Sequence, residues 1–296
     1  MERMKVAVVD YRAPDAPENF TRSLRETGFA AITHHPLPTG LVDGIYREWE
    51  EFLVSGAARR YPHTEQQDGY FPPEVAETAK GATKRDLKEF FHVYRPWGQY
   101  PTEVSGAARE FHERASQLAS TLLGWVESQT PAEVSRRFER PLSHMLDDSH
   151  RTLLRILRYP PLTGVEEEGA VRAAAHEDIN LITILPGSNQ PGLQVLDRTG
   201  TWHDAPGDLG MLTINAGDML QYASGGYYPS TTHRVVNPTG EGAKHSRMSM
   251  PLFLHPGDAV VLADGRTAHE FLQERIAVLR GERTHSGDPS QDQQSA

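Results

Sequence analysis

The stretch whose reading decides the fold is His176-Glu177-Asp178-Ile179-Asn180-Leu181-Ile182-Thr183-Ile184-Leu185. Its second half is rich in β-branched residues and is stopped by Pro186-Gly187, so a strand is expected rather than a helix. Successive side chains of a strand point to opposite faces. His176 and Asp178, two apart, are therefore expected on one side, with Glu177 turned away. An imidazole and a carboxylate on a shared face supply two ligands of a metal site, and a third must come from another strand. His233, which leads into the strand-like Arg234-Val235-Val236, is the candidate.

Two histidines and one carboxylate on one side of a metal form the facial triad of non-haem Fe(II) oxygenases, with three positions left open. Zinc hydrolases use a similar set and leave one position for water. A His-x-Asp pair is weak evidence in a chain with 14 histidines, where it can equally be the exposed polar edge of a strand. Arg247 adds weight. Arg247-Met248-Ser249-Met250 alternates so that Arg247 and Ser249 share one face and the two methionines the other. A guanidinium beside a hydroxyl inside a barrel can hold a carboxylate through parallel hydrogen bonds. Buried without an anion it would be costly. The alternative is a solvated arginine on an outer face.

With these residues in place, the chain resembles the isopenicillin N synthase-like branch of the Fe(II)/2-oxoglutarate-dependent oxygenases. The matching pieces, in order, begin with Arg158-Tyr159-Pro160-Pro161 and the His176-to-Leu185 stretch. They continue through Gly192-Leu193-Gln194-Val195 with Trp202, Asn215-Ala216-Gly217-Asp218-Met219-Leu220, Tyr227-Tyr228 and His233-Arg234-Val235. The resemblance implies Fe(II) held by His176, Asp178 and His233. It implies 2-oxoglutarate anchored by Arg247 and Ser249 with help from Tyr159, and O2 as the oxidant. It also implies succinate and CO2 as products, with hydroxylation, desaturation or ring closure of a small-molecule substrate such as an amino acid or natural-product intermediate. One departure is Leu157, where many members of the family carry Asn. An oxidase of the isopenicillin N synthase kind, using no 2-oxoglutarate, stays open beside this reading. So does a metal-free barrel that binds a small acid; zinc hydrolysis gives the Arg247 anchor no task.

The rest of the chain bounds these options. It has 296 residues, no cysteine and a net charge of −10, with a pI near 5.8 and a mean hydropathy of −0.55. Absence of cysteine removes disulfides, thiolate metal sites and cysteine nucleophiles. The acidic balance argues against nucleic acid or an anionic membrane as partner. Neither a leader nor a membrane-length apolar run is evident, so a cytoplasmic protein is expected.

Strands are expected at 5–10 and 29–35, with helices over 19–27 and from about 40 to 54. A loop over 57–85 is expected near the mouth of the site. Apolar residues from Ala108 to Val126 recur at three- and four-residue steps, which predicts a long amphipathic helix ending at Thr130-Pro131. A second helix is expected over 132–140, a hairpin turn over 237–242 and a last helix over 271–280. Many short strands between 152 and 255 suit a double-sheet jelly roll, and the resemblance implies the same double-stranded β-helix. The expected fold class is thus α+β with a mainly β core and flanking N-terminal helices. One domain over 1–280 is expected, with a helical N-terminal region over 1–150 packed on a jelly-roll core at 151–256, and a disordered tail over 281–296. Tyr70, Arg95 and Tyr228 are candidates for the substrate wall.

Overall fold

Hydrophobic alternation in short segments gives strands, and two layers of them enclose the site. The computed structural model describes residues 4–75 and 84–279. The expected tail over 281–296 and residues 76–83 of the expected 57–85 loop lie outside those residues, and the described part of that stretch contains a strand at Gly69–Phe71.

In chain order the first elements are β1 (Val8–Asp10), α1 (Ala16–Thr27), β2 (Phe29–Thr33), α2 (Leu41–Val54), β3 (Gly69–Phe71) and β4 (Glu89–Tyr94). Then come α3 (Ala107–Gln129), α4 (Ala132–Ser135), β5 (Leu153–Tyr159), β6 (Ala173–His176), β7 (Ile182–Pro186) and β8 (Leu193–Leu196). The chain continues with β9 (Trp202–Asp204), β10 (Leu212–Ala216), α5 (Asp218–Ala223), β11 (His233–Val235), β12 (Arg247–Ser249) and β13 (Leu252–Leu254). It closes with β14 (Val261–Ala263), β15 (Arg266–Thr267) and α6 (Ala268–Leu279).

The larger sheet runs β1-β2-β10-β7-β13-β5-β4-β3, with β12 also paired to β5. The smaller sheet runs β6-β11-β8-β9. Together they make the double-stranded β-helix. Alternation along the larger sheet divides its two faces. Ile156, Phe91, Met248, Leu252 and Ile184 point outward into a core shared with Phe20, Trp49, Phe111 and Leu122 from α1, α2 and α3. Full burial of a side chain such as Phe20 or Phe111 contributes about 1.5–3 kcal/mol. The other face looks toward the smaller sheet, where Phe71, Phe90, Leu157 and Tyr159 meet Ala173, Leu193 and Val235.

Several local expectations give way to longer-range constraints. The first 94 residues supply four strands to the larger sheet, so this region extends the sheet as well as bracing it with helices. The helix expected over 132–140 is only Ala132–Ser135. Arg136, Arg137 and Arg140 leave it without an apolar stripe, and Pro141 disfavours helical backbone just before it. No hairpin forms over 237–242, because β11 and β12 belong to different sheets. That connection is a crossover carrying a 3-10 turn at Gly240–Lys244.

Two glycines tie the layers together at the site. Gly28 caps α1 in the left-handed region (φ 74°), and a Cβ there would collide with Thr231, next to the candidate ligand strand β11. Gly217 approaches Asn180 closely enough that any side chain would strike its backbone.

Candidate metal and anion site

Antiparallel pairing of β6 and β11 sets His176 directly opposite His233, with ring centroids 4.4 Å apart. Asp178 reaches them from the connection to β7, not from the strand itself, since β6 ends at His176. The expected shared strand face is therefore replaced by an irregular connection after His176. Asp178 Oδ1 lies 3.9 Å from His176 Nε2 and 3.8 Å from His233 Nε2. The three ligand atoms all fall within 4.8 Å of one another, a grouping that could hold one metal ion.

Every other polar atom of the three side chains is spoken for. His176 Nδ1 lies 2.8 Å from the Ala174 carbonyl, and His233 Nδ1 lies 3.1 Å from the Thr231 carbonyl. A carbonyl only accepts, so each Nδ1 carries the proton and each Nε2 presents its lone pair to the centre. Asp178 Oδ2 accepts hydrogen bonds from Thr183 Oγ1 (2.6 Å) and Asn215 Nδ2 (2.8 Å), leaving Oδ1 for the centre. Asn180 Nδ2 donates to Thr183 Oγ1 (3.0 Å), which orients that hydroxyl proton toward Asp178. Burial alone would raise the Asp178 carboxyl. The neighbouring His233 and His176, with the bonds from Asn215 and Thr183, outweigh it and hold the group below its ordinary range. Neutral imidazoles and an ionised carboxylate are the forms that ligate Fe(II), so the donor set fits that ion. Glu177 turns away and accepts from Thr232 Oγ1 (2.7 Å). The His233 side chain is 10% exposed and that of His176 39%, so the centre opens on the His176 side.

On the larger sheet, Arg247 pairs with Tyr159 and Ser249 with Leu157 across β12 and β5. The expected alternation holds: Met248 and Met250 enter the helical core. Arg247 is 2% exposed. Its Nε donates to the Gln190 carbonyl (3.1 Å), its guanidinium lies 5.3 Å from the Tyr159 ring centre, and its buried Nη1 has no partner. Tyr159 packs with Ala173 and Val235, on the strands that carry His176 and His233. The arginine and the histidine cluster thus face one interior.

The three expected substrate contacts stand elsewhere. Tyr70 is on the helix-facing side of β3 and donates to Glu89. Its neighbour Phe71 has the inward parity, because a one-residue step reverses the face. Arg95 lies past the end of β4 and pairs with Glu113 on α3 (2.9 Å). Tyr228 is fully buried and bonds Thr130 Oγ1 (2.7 Å) beneath α3.

The inward wall is instead built from Phe71, Phe90, His92 and Arg155. Phe71 stacks on Phe90 at 4.7 Å. The Arg155 guanidinium lies over Phe90 (4.6 Å) and Phe253 (5.5 Å), and its Nε donates to His92 Nε2 (2.8 Å). An arginine only donates, so His92 carries its proton on Nδ1 and gives it to the Gln67 carbonyl (2.6 Å). Arg155 was detectable in principle, since it shares strand parity with Leu157 and Tyr159.

The sequence profile of the 2OG-Fe(II) oxygenase superfamily matches residues 151–256. A candidate oxygenase from Shewanella oneidensis is 49% identical, with a TM-score of 0.85 over 93% of this chain and 99% of that one. A candidate 2OG-Fe(II) oxygenase family protein from Caulobacter crescentus is 27% identical, with a TM-score of 0.77 over 94% and 99% of the two chains. Leucoanthocyanidin dioxygenase 2 of rice is 28% identical across 78% of this chain and 67% of its own length. This chain belongs to the 2OG-Fe(II) oxygenase superfamily, the Fe(II)- and 2-oxoglutarate-dependent dioxygenases.

Proposed function

We propose that this protein oxidises a C–H bond of a small molecule, with Fe(II) held by His176, Asp178 and His233 and 2-oxoglutarate held by Arg247, Ser249 and Tyr159. The observation that carries this is the convergence of two Nε2 lone pairs and one carboxylate oxygen on a common centre, inside a barrel that also buries an arginine with an unpartnered N–H. When bound, iron supplies the redox chemistry by which O2, 2-oxoglutarate and a C–H bond become succinate, CO2 and an oxidised product. The protein's own part is positional. The Ala174 and Thr231 carbonyls fix the imidazole tautomers, and Asn215 and Thr183 hold the carboxylate plane. The two-sheet interior limits water.

The substrate enters from the His176 side and rests against Phe90, Arg155 and Phe253. This wall favours a molecule with a flat or apolar body and a group that accepts hydrogen bonds from a guanidinium. The test is succinate release by iron-loaded protein against a panel of such small molecules. Succinate that depends on a panel member, with that substrate's KM raised in Arg155→Ala and the 2-oxoglutarate KM unchanged, is the expected result. O2 consumption with no 2-oxoglutarate requirement would transfer the protein to the oxidase reading, and an unchanged substrate KM in Arg155→Ala would remove that residue from the wall.

A further inference from the structure

A second buried arginine shares the space beside Tyr159. Arg172 immediately precedes β6 and is 0% exposed. Its backbone N–H donates to Asn237 Oδ1 (2.9 Å) and its Nη2 to the His245 carbonyl (3.0 Å). These bonds leave Nε and Nη1 buried with no partner, the condition also found at Nη1 of Arg247. The two guanidinium groups lie 6.0 and 5.3 Å from the centre of the same Tyr159 ring.

Each unpartnered buried donor carries a desolvation penalty, which is larger when the donor is charged. Two cations that face one ring without a counter-ion add mutual repulsion. Burial first, then the charge of Arg247, works against the protonated form of Arg172. An arginine does not relieve this by losing its proton. A role confined to clamping the Asn237 and His245 segment would employ the backbone amide and Nη2 alone. An anion between the two guanidinium groups employs the remaining donors and balances the charge.

We infer that Arg172 acts with Arg247 as a two-guanidinium hold on the distal carboxylate of 2-oxoglutarate. The inference rests on the proposal that Arg247 anchors the co-substrate, and it adds a positioning residue on the opposite sheet. Arg172 thus stands just before the strand that ends at the metal-ligand candidate His176.

The experiment is calorimetric binding to the full chain, loaded anaerobically with Mn(II), of two probes. One is 2-oxoglutarate. The other is 2-oxopentanoate, which has the same chain length but no distal carboxylate. Arg172→Gln keeps a donor for the His245 carbonyl but removes the charge, and Arg172→Lys keeps the charge but loses the planar fork. We expect 2-oxoglutarate affinity to fall about tenfold or more in the glutamine variant and by less in the lysine variant, since charged two-pronged bonds are the strong ones. Binding of 2-oxopentanoate stays at its wild-type value in both. Should the glutamine variant not fold, a selective loss of 2-oxoglutarate binding in Arg172→Lys supports the two-arginine hold in its place. Equal loss for both probes makes Arg172 a structural clamp and overturns the inference, as does no loss for either. Arg247→Gln separates the two levels. If it leaves 2-oxoglutarate binding unchanged, the co-substrate assignment itself is wrong; if it weakens binding while Arg172→Gln does not, Arg172 alone is removed.

Discussion

The two ends of the barrel interior differ in how completely their polar atoms are satisfied. At the histidine end, both Nδ1 atoms and Asp178 Oδ2 have partners, and only the three ligand atoms aim at the centre. At the arginine end, three buried guanidinium nitrogens on Arg172 and Arg247 have none. The first end is held by the protein's own hydrogen bonds. The second holds buried guanidinium nitrogens that no group among the described residues satisfies. Preorganisation and incompleteness are thus separate properties, and the two ends of this interior show one each.

The comparison can be broken most severely at Asp178. Asp178→Ala removes the one anionic ligand, and iron binding and turnover should both be lost while the far-ultraviolet circular dichroism is retained. Measurable Fe(II) binding by that variant under anaerobic conditions would separate the metal from this centre. At the other end, Arg247→Ala should raise the 2-oxoglutarate requirement without removing the metal. A charge-assisted bond worth about 1.5–3 kcal/mol corresponds to a KM roughly 10–150 times higher. An unchanged KM would show that the arginine end is not where the co-substrate sits.

A milder change tests how much the preorganised end depends on its supports. Asn215→Ala frees one contact of the Asp178 carboxylate and should weaken metal affinity by about 10–100-fold, read by competition with a chelator. Retained affinity would mean that Thr183 suffices. The smallest effect is expected away from both ends. His112 on α3 is buried against the Thr152 carbonyl (3.2 Å), and burial pushes its pKa below the ordinary value of 6.5. The folded chain then binds fewer protons than the unfolded one below that value. The contribution is fully present above pH 6.5 and is lost as pH falls. The melting temperature should therefore decline on acidification below about 6.5, and less so in His112→Gln. An identical slope in the variant would rule His112 out as a source.

The sequence was most informative where residue type and spacing follow from local geometry. The alternation of Arg247 and Ser249 with Met248 and Met250 required only that β12 be a strand with one apolar side. The long helix α3 followed from its apolar stripe. Parity misleads at β3, where Phe71 faces inward in place of the expected Tyr70. Local pattern cannot say which side of an aromatic-rich strand faces the second sheet. Asn215 stood in a matched motif, yet its hydrogen bond to Asp178 depends on β10 pairing with β7.

The amino-acid sequence alone determined the chemical inventory: two histidines, an aspartate and an arginine-serine pair in family order, with no thiolate to compete for the metal. Those are properties of residue identity and short-range periodicity. Tertiary structure decided the tautomers of His176 and His233, the escape of Asp178 from its strand and the inward wall around Arg155. It also decided the meeting of Arg172 with Arg247, which lie on segments far apart in the chain. The physical reason is that burial and hydrogen-bond satisfaction are set by what the folded chain places alongside each group, and no local pattern encodes that neighbour.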